Sequence, residues 1–178
     1  MARSTPTRRR VARVASGGRA LAGVVALASG LAALTAAPAS AGPSVRVTTQ
    51  TYAIRGRTAA QLKQQMARRG PKGYWAYARW NVRWTANCKV TVRVRYTMPR
   101  WANKASGSAR LRQNWRRMMR ALRAHERQHG RHGIQAAREL VRTRCRGNPN
   151  AVVARWAAQD RIFDQRTNHG VSQGVRLD

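Results

Sequence analysis

The chain has 178 residues, a length that suits one domain with its own core and argues against a second domain. It contains 36 Lys and Arg against 5 Asp and Glu, which gives a formal charge of +31. This excess favours contact with anionic surfaces, and the scarcity of carboxylates argues against a nuclease built on a Mg²⁺ site.

Residues 1–41 have the pattern of an export signal. Six arginines lead into an uncharged apolar run over residues 20–37, and Ala39-Ser40-Ala41 forms a small-x-small cleavage site. Cleavage after Ala41 would leave a domain of residues 42–178 with a formal charge of about +25, secreted or associated with the cell envelope. The alternative is that the apolar run is retained as a membrane anchor, for which its length is marginal.

The first half of this domain reads as strands and one short helix. Residues 45–54 alternate weakly and predict a strand, and a capping box of Thr58 and Gln61 opens a helix over residues 58–69. Residues 74–84 and 88–96 alternate more clearly, and the short link between them predicts an antiparallel hairpin. We expect Pro99 to end the second strand of this hairpin.

The second half reads as helical. Six residues spaced 4, 3, 4, 3 and 4 apart form one helical stripe, namely Leu111, Trp115, Met118, Leu122, His125 and His129. A second helical run covers residues 134–144, Asn148-Pro149 opens a third helix through about residue 164, and residues 166–178 read as loop. The predicted fold class is α+β, a small antiparallel β-sheet with packed helices.

The chain has two cysteines, Cys88 and Cys145. An exported protein meets an oxidising compartment, and an even cysteine count then predicts one disulfide between them. The alternative of two zinc ligands lacks the C-x-x-C spacing that such sites use.

His125-Glu126-Arg127-Gln128-His129 has the H-E-x-x-H spacing of zinc peptidases. On a helix the two imidazoles lie one turn apart on one face and can share a zinc ion, while Glu126 can act as the base on a zinc-bound water. The apolar stripe places this face against the core, where buried polar side chains need a compensating partner such as a metal. The motif therefore predicts a zincin-like active-site helix, and a solvated surface helix is the competing interpretation.

Such a zinc site needs a third protein ligand, and the chain offers few candidates: His132, Glu139, Asp160, Asp164 and His169. His132 lies too far along the helix from His125 to share an ion with it, and the metzincin pattern would require a histidine where Gln135 stands. Glu139 could contribute only if the helix broke at Gly130 or Gly133. These limits favour a third ligand from the C-terminal stretch around residues 163–170.

Nearly the whole domain resembles a family of predicted secreted bacterial zinc-dependent proteases that is catalogued as a domain of unknown function. The shared features include Trp115 ahead of the H-E-x-x-H motif and a final Asp164-x-x-Thr167-x-His169-Gly170. The resemblance implies zinc and a hydrolytic role but no known substrate. It favours His169 as the third ligand, with Asp164 as the alternative ligand or as a partner that orients one. Tyr is common in the family where this chain has Phe163, to which we assign no role.

We therefore expect a secreted zinc-dependent hydrolase, most simply a metalloendopeptidase acting on peptide or protein substrates as a monomer. The alternative is a polybasic protein that binds the envelope or nucleic acid and has a structural or degenerate zinc site. Glu126 discriminates between them, because a structural site has no need of a carboxylate beside the first ligand. The arginines are spread along the chain, so we expect non-specific polyanion contact and no specific nucleic-acid site.

Overall fold

The structure is a computed structural model that describes residues 42–178. The predicted export signal and its cleavage site lie outside the described residues. Within them, no helix combines the length and the apolar character needed to cross a membrane.

Three strands form one mixed sheet: β1 (Ser44–Ile54), β2 (Tyr77–Trp84) and β3 (Val90–Trp101), in the order β1-β3-β2. β2 and β3 form the predicted antiparallel hairpin, whereas β1 runs parallel to β3. The prediction of an entirely antiparallel sheet was therefore wrong for β1. Alternation along a strand indicates which residues face the core, but it carries no information on the direction of the neighbouring strand.

β3 continues past Pro99, contrary to the predicted end of the strand. Pro99 pairs in register with Tyr52 of β1, while β2 pairs with β3 only as far as Thr97. Proline cannot donate a backbone hydrogen bond, so it is tolerated here because β3 has a neighbour on one side only.

Three helices complete the α+β fold: α1 (Ala59–Arg69), α2 (Ala109–Arg142) and α3 (Pro149–Thr167). One half of the core joins α1 and the first turns of α2 to the end of the sheet, through residues such as Leu62, Met66 and Met118. The other half packs the last turns of α2 on the hairpin, with Val92, Val94 and Leu140 almost fully buried.

The 34-residue helix α2 includes the segment predicted as a separate helix at residues 134–144. Gly130 and Gly133 do not interrupt this helix. Their small size instead allows close packing. A Cβ added at Gly133 would lie 2.5 Å from Cγ of Trp80, and one added at Gly130 would meet the Tyr96 hydroxyl. The glycines thus let α2 approach the sheet closely.

The ends of α2 and α3 are fixed by local features. The predicted disulfide between Cys88 and Cys145 is present, with a Cα–Cα distance of 5.6 Å, and ties the turn after α2 to the hairpin. Asn148 caps α3 by accepting the Ala151 N–H, as its sequence predicts. α3 ends at a left-handed Asn168, and residues 169–178, which include a short 3₁₀ turn at Val171–Gln173, return the chain to α2.

Candidate metal centre

His125 and His129 lie one turn apart on the inner face of α2 and are 4% and 7% exposed. Their Nε2 atoms are 3.3 Å apart. Oδ1 of Asp164, from α3, is 3.2 Å from Nε2 of His125 and 3.1 Å from Nε2 of His129. Two imidazole nitrogens and one carboxylate oxygen therefore form a nearly equilateral triangle.

The other nitrogen of each imidazole is occupied by an acceptor. Nδ1 of His125 donates to Oε1 of Gln173 at 2.9 Å, and Nδ1 of His129 donates to Oδ1 of Asp160 at 3.1 Å. In the neutral tautomer that these two contacts favour, each Nε2 has a free lone pair, so the triangle brings three acceptor atoms together. Such a group is stabilised by a cation between its members.

The dimensions of the triangle suit a metal ion. A tetrahedral zinc with bonds of about 2.0–2.1 Å has ligand atoms roughly 3.3 Å apart, close to the separations of 3.1–3.3 Å found here. Phe163 stacks on the His125 ring at a centroid distance of 4.9 Å, which helps to hold its orientation. His125, His129 and Asp164 can therefore hold a metal ion.

The electrostatics of the two histidines also favour a bound cation. Burial lowers the pKa of His125, which favours the neutral imidazole that a metal requires. Burial alone would also lower the pKa of His129, but the carboxylates of Asp160 and Asp164 outweigh it and raise that pKa. The two carboxylates thus favour positive charge at this corner of the centre, on a proton or on a bound cation.

Glu126 lies beside this triangle and is only 6% exposed. Burial raises the pKa of Glu126 to about 7, although the His129 imidazole and the Ala78 backbone act to lower it. A carboxylate with a pKa near neutrality can both take and return a proton at physiological pH.

His169 is next to the triangle but is not one of its corners. Its side chain is 54% exposed, and its Nδ1 lies 3.7 Å from Oδ1 of Asp164. The ring rests against Tyr74 at a centroid distance of 5.5 Å. Gly170, with φ 86°, lets the chain pass so close to His125 that an added Cβ would lie 3.1 Å from its Cγ. The structure thus brings both halves of the motif together, while the identity of the third ligand stays a prediction.

The remaining candidates are not corners of the triangle. Glu139 pairs with Arg155 and accepts the indole N–H of Trp156, which joins α2 to α3 away from the triangle. His132 is buried, and its Nδ1 donates to Asp160 at 2.6 Å. Sequence reasoning missed Gln173, because a glutamine in a C-terminal loop has no spacing that marks it as a partner of a histidine 48 residues earlier.

An open cleft of about 590 Å³ leads to the centre. One wall comes from the segment before and within β2, which includes Tyr74, Trp75 and Ala78, and the opposite wall comes from α3 and the C-terminal turn. Lys72 and Arg161 are cations that also line the cleft. The volume falls in the range of small-molecule and peptide-binding sites.

Fold and site together define a small α+β protein with a buried His/Asp centre able to hold a metal ion, open to a cleft. The chain belongs to the family described as "Bacterial protein of unknown function (DUF922)", whose sequence model matches residues 49–170. The match begins within β1 and ends at Gly170, so it includes every residue of the triangle and His169. No significantly similar curated protein or solved structure was found.

Proposed function

We propose that this protein is a zinc-dependent hydrolase, most simply a peptidase, in which Glu126 is the general base. The single observation that carries the proposal is the acceptor triangle of His125, His129 and Asp164 with a buried carboxylate of raised pKa beside it. Zinc held there would lower the pKa of a water toward neutrality and polarise a scissile carbonyl.

The residues of the chain have separate tasks in this proposal. The imidazoles of His125 and His129 and the Asp164 carboxylate hold the ion, with His169 within reach of Asp164. Glu126 accepts a proton from the attacking water and passes it to the leaving amine. The apolar and aromatic wall of the cleft binds the substrate and reduces the access of bulk water.

The position of Glu126 favours a hydrolase over a structural metal site. Structural zinc sites are closed by four protein ligands that usually include cysteine. Here both cysteines form a disulfide, and the centre opens into a cleft. A structural site would also gain nothing from a buried carboxylate next to its first ligand, where burial is unfavourable for the charge.

We also propose that the domain works outside the cytoplasm. The Cys88–Cys145 disulfide suits an oxidising compartment, in agreement with the export signal expected from the sequence.

The test compares the wild-type domain with Glu126→Gln and with a matched control, Glu139→Gln. Glu139 is a second α2 glutamate, partly buried and bonded to a Trp indole, but distant from the triangle. Zinc content would be measured by elemental analysis, and hydrolysis by mass spectrometry of a peptide-library digest.

We expect one zinc per chain in all three proteins. Hydrolysis should fall by several orders of magnitude in Glu126→Gln and stay at the wild-type level in Glu139→Gln, because only Glu126 can reach the water. Near wild-type turnover in Glu126→Gln would reject Glu126 as the base. Zinc binding without any hydrolysis in the wild type would favour the alternative of a binding protein with a structural or degenerate site.

A further inference from the structure

We infer that Asp160 is the positioning residue of this centre: it fixes the His129 ring so that Nε2 faces the ion, and it is not itself a ligand of a second ion. The inference rests on the proposed metal centre. Asp160 receives hydrogen bonds from two different elements, from the indole N–H of Trp80 on β2 at 2.6 Å and from His129 and His132 on α2.

Three donors converge on this one carboxylate. Oδ1 accepts from Nδ1 of His129 at 3.1 Å and from Nδ1 of His132 at 2.6 Å, while Oδ2 accepts from Trp80. The tautomer of His132 is set from its far side, where the Gln128 amide donates to Nε2 at 2.9 Å. Only a side chain that accepts on two oxygens can satisfy all three donors. A carboxylate is the one side-chain group of this size that does so.

His129, His132 and Asp160 could also be viewed as a second metal site, because their ligand atoms lie close together. The separation of 2.6 Å between His132 Nδ1 and Asp160 Oδ1 is that of a charge-assisted hydrogen bond. It is well below the roughly 3.3 Å between ligand atoms of a tetrahedral zinc. The described residues therefore present one ion site with Asp160 behind it.

The consequence concerns the strength and direction of one ligand. A carboxylate that accepts the outer N–H of a ligating histidine orients the ring and increases its basicity, and its loss costs about 10–100-fold in metal affinity. His125 has only the neutral amide of Gln173 in the same position. His129 is accordingly the stronger metal ligand of the two imidazoles.

The variants separate charge from packing. Asp160→Asn can keep one acceptor toward the histidines, but its amide group then faces the Trp80 N–H, a clash of two donors. Trp80→Phe removes that clash, so the double variant Trp80→Phe/Asp160→Asn retains only the loss of the carboxylate. Glu139→Gln is the matched control, since Glu139 also accepts an indole N–H, that of Trp156, at 2.9 Å.

Zinc affinity would be measured by chelator competition, the absorption spectrum with Co²⁺ would report ligand geometry, and the melting temperature of the metal-free protein would report folding. We expect zinc affinity to fall 10–100-fold in Asp160→Asn and in the double variant, with an altered Co²⁺ spectrum in both. Glu139→Gln should bind zinc as the wild type does, and Trp80→Phe, which keeps the carboxylate, should lose less affinity than either protein with Asp160→Asn.

Wild-type affinity in Asp160→Asn, or its full recovery in the double variant, would overturn the inference, and so would a stoichiometry of two ions that falls to one in Asp160→Asn. A second measurement needs no variant: in zinc-loaded wild type, NMR should show a slowly exchanging Nδ1 proton on His129, and its absence would contradict the assignment. A wild type that binds zinc but hydrolyses nothing would reject the proposed activity and leave this test intact.

Discussion

Asp164 contacts the two imidazoles of α2, and His169, five residues later in the chain, contacts Asp164. Oδ1 of Asp164 lies within 3.2 Å of both Nε2 atoms, whereas His169 contacts that carboxylate at 3.7 Å and is half exposed. If Asp164 is the third ligand, Asp164→Ala should lose zinc affinity by orders of magnitude, and His169→Ala by no more than about 10–100-fold. Isothermal titration or chelator competition on each variant measures this difference.

The opposite result, a larger loss of zinc affinity in His169→Ala than in Asp164→Ala, would support the ligand set that the sequence favours. His169 would then be the third ligand, with Asp164 behind it. Asp164→Asn is a useful companion variant, because it keeps the size of the side chain while removing its charge. Equal and complete losses in Asp164→Ala and His169→Ala would indicate that both side chains bind the ion.

At the level of single residues, the sequence was most informative where spacing along one helix is enough. His125, Glu126 and His129 are placed by helical periodicity alone, and the structure has them buried on one face. The hydrogen bonds to Asp160 and Gln173 join residues 31 and 48 positions apart, so no local pattern could establish them. The sequence offers Asp160 as a candidate third ligand or, like Asp164, as a carboxylate that orients a ligand histidine, and it does not indicate which.

The packing of α2 on the hairpin leaves no room for a side chain at Gly133. A Cβ at this position would lie 2.5–2.7 Å from three Trp80 atoms, including the Trp80 Cβ, which cannot move without the backbone. At an exposed helical position Gly→Ala stabilises by up to about 1 kcal/mol. We expect Gly133→Ala instead to destabilise the domain by about 1–3 kcal/mol, the usual cost of overpacking. Urea unfolding followed by circular dichroism provides the measurement.

Gly130→Ala is the natural comparison, because it lies one turn earlier on the same face. The nearest group there is the hydroxyl of Tyr96, the far end of its side chain, followed by Val94 Cγ1 at 3.0 Å, and neither is a Cβ fixed to the backbone. Gly130→Ala should therefore cost less than Gly133→Ala. A Gly133→Ala protein as stable as the wild type would mean that α2 can move outward from the sheet.

At the level of elements, the hairpin, the three helical regions and the disulfide were predictable from alternation, caps and cysteine count. The continuity of α2 was not, because glycines at 130 and 133 resemble a helix break unless the facing Tyr96 and Trp80 are known. The direction of β1, parallel to β3, was not predictable either. In both cases the deciding contact comes from a distant part of the chain.

The whole molecule has an uneven distribution of charge. Three of its five acidic residues are at the centre, Glu139 pairs with Arg155, and Asp178 is the last residue. The strands contain no acidic residue, and on the sheet Arg46 lies opposite Arg93 and Arg79 opposite Arg95. Like charges directly opposite each other are destabilising, and nothing within the strands offsets them.

This distribution predicts salt-sensitive binding to polyanions without sequence preference. The logarithm of the affinity for duplex DNA should fall with the logarithm of salt concentration, with a slope of about 0.9 per phosphate neutralised. Fluorescence anisotropy at several salt concentrations, with two unrelated duplexes and an acidic wall polymer, measures it.

Two double variants locate the charge that matters: Arg93→Gln/Arg95→Gln on the sheet and Arg116→Gln/Arg120→Gln on the exposed side of α2. Because exposed arginines occur on both surfaces, we expect similar losses of affinity and similar reductions of the salt slope in the two proteins. A loss confined to the sheet pair would instead reveal a dedicated docking face. A flat salt dependence in the wild type would mean that the arginine content reflects composition without a polyanionic partner, and the +31 charge would then carry no information about what the protein contacts.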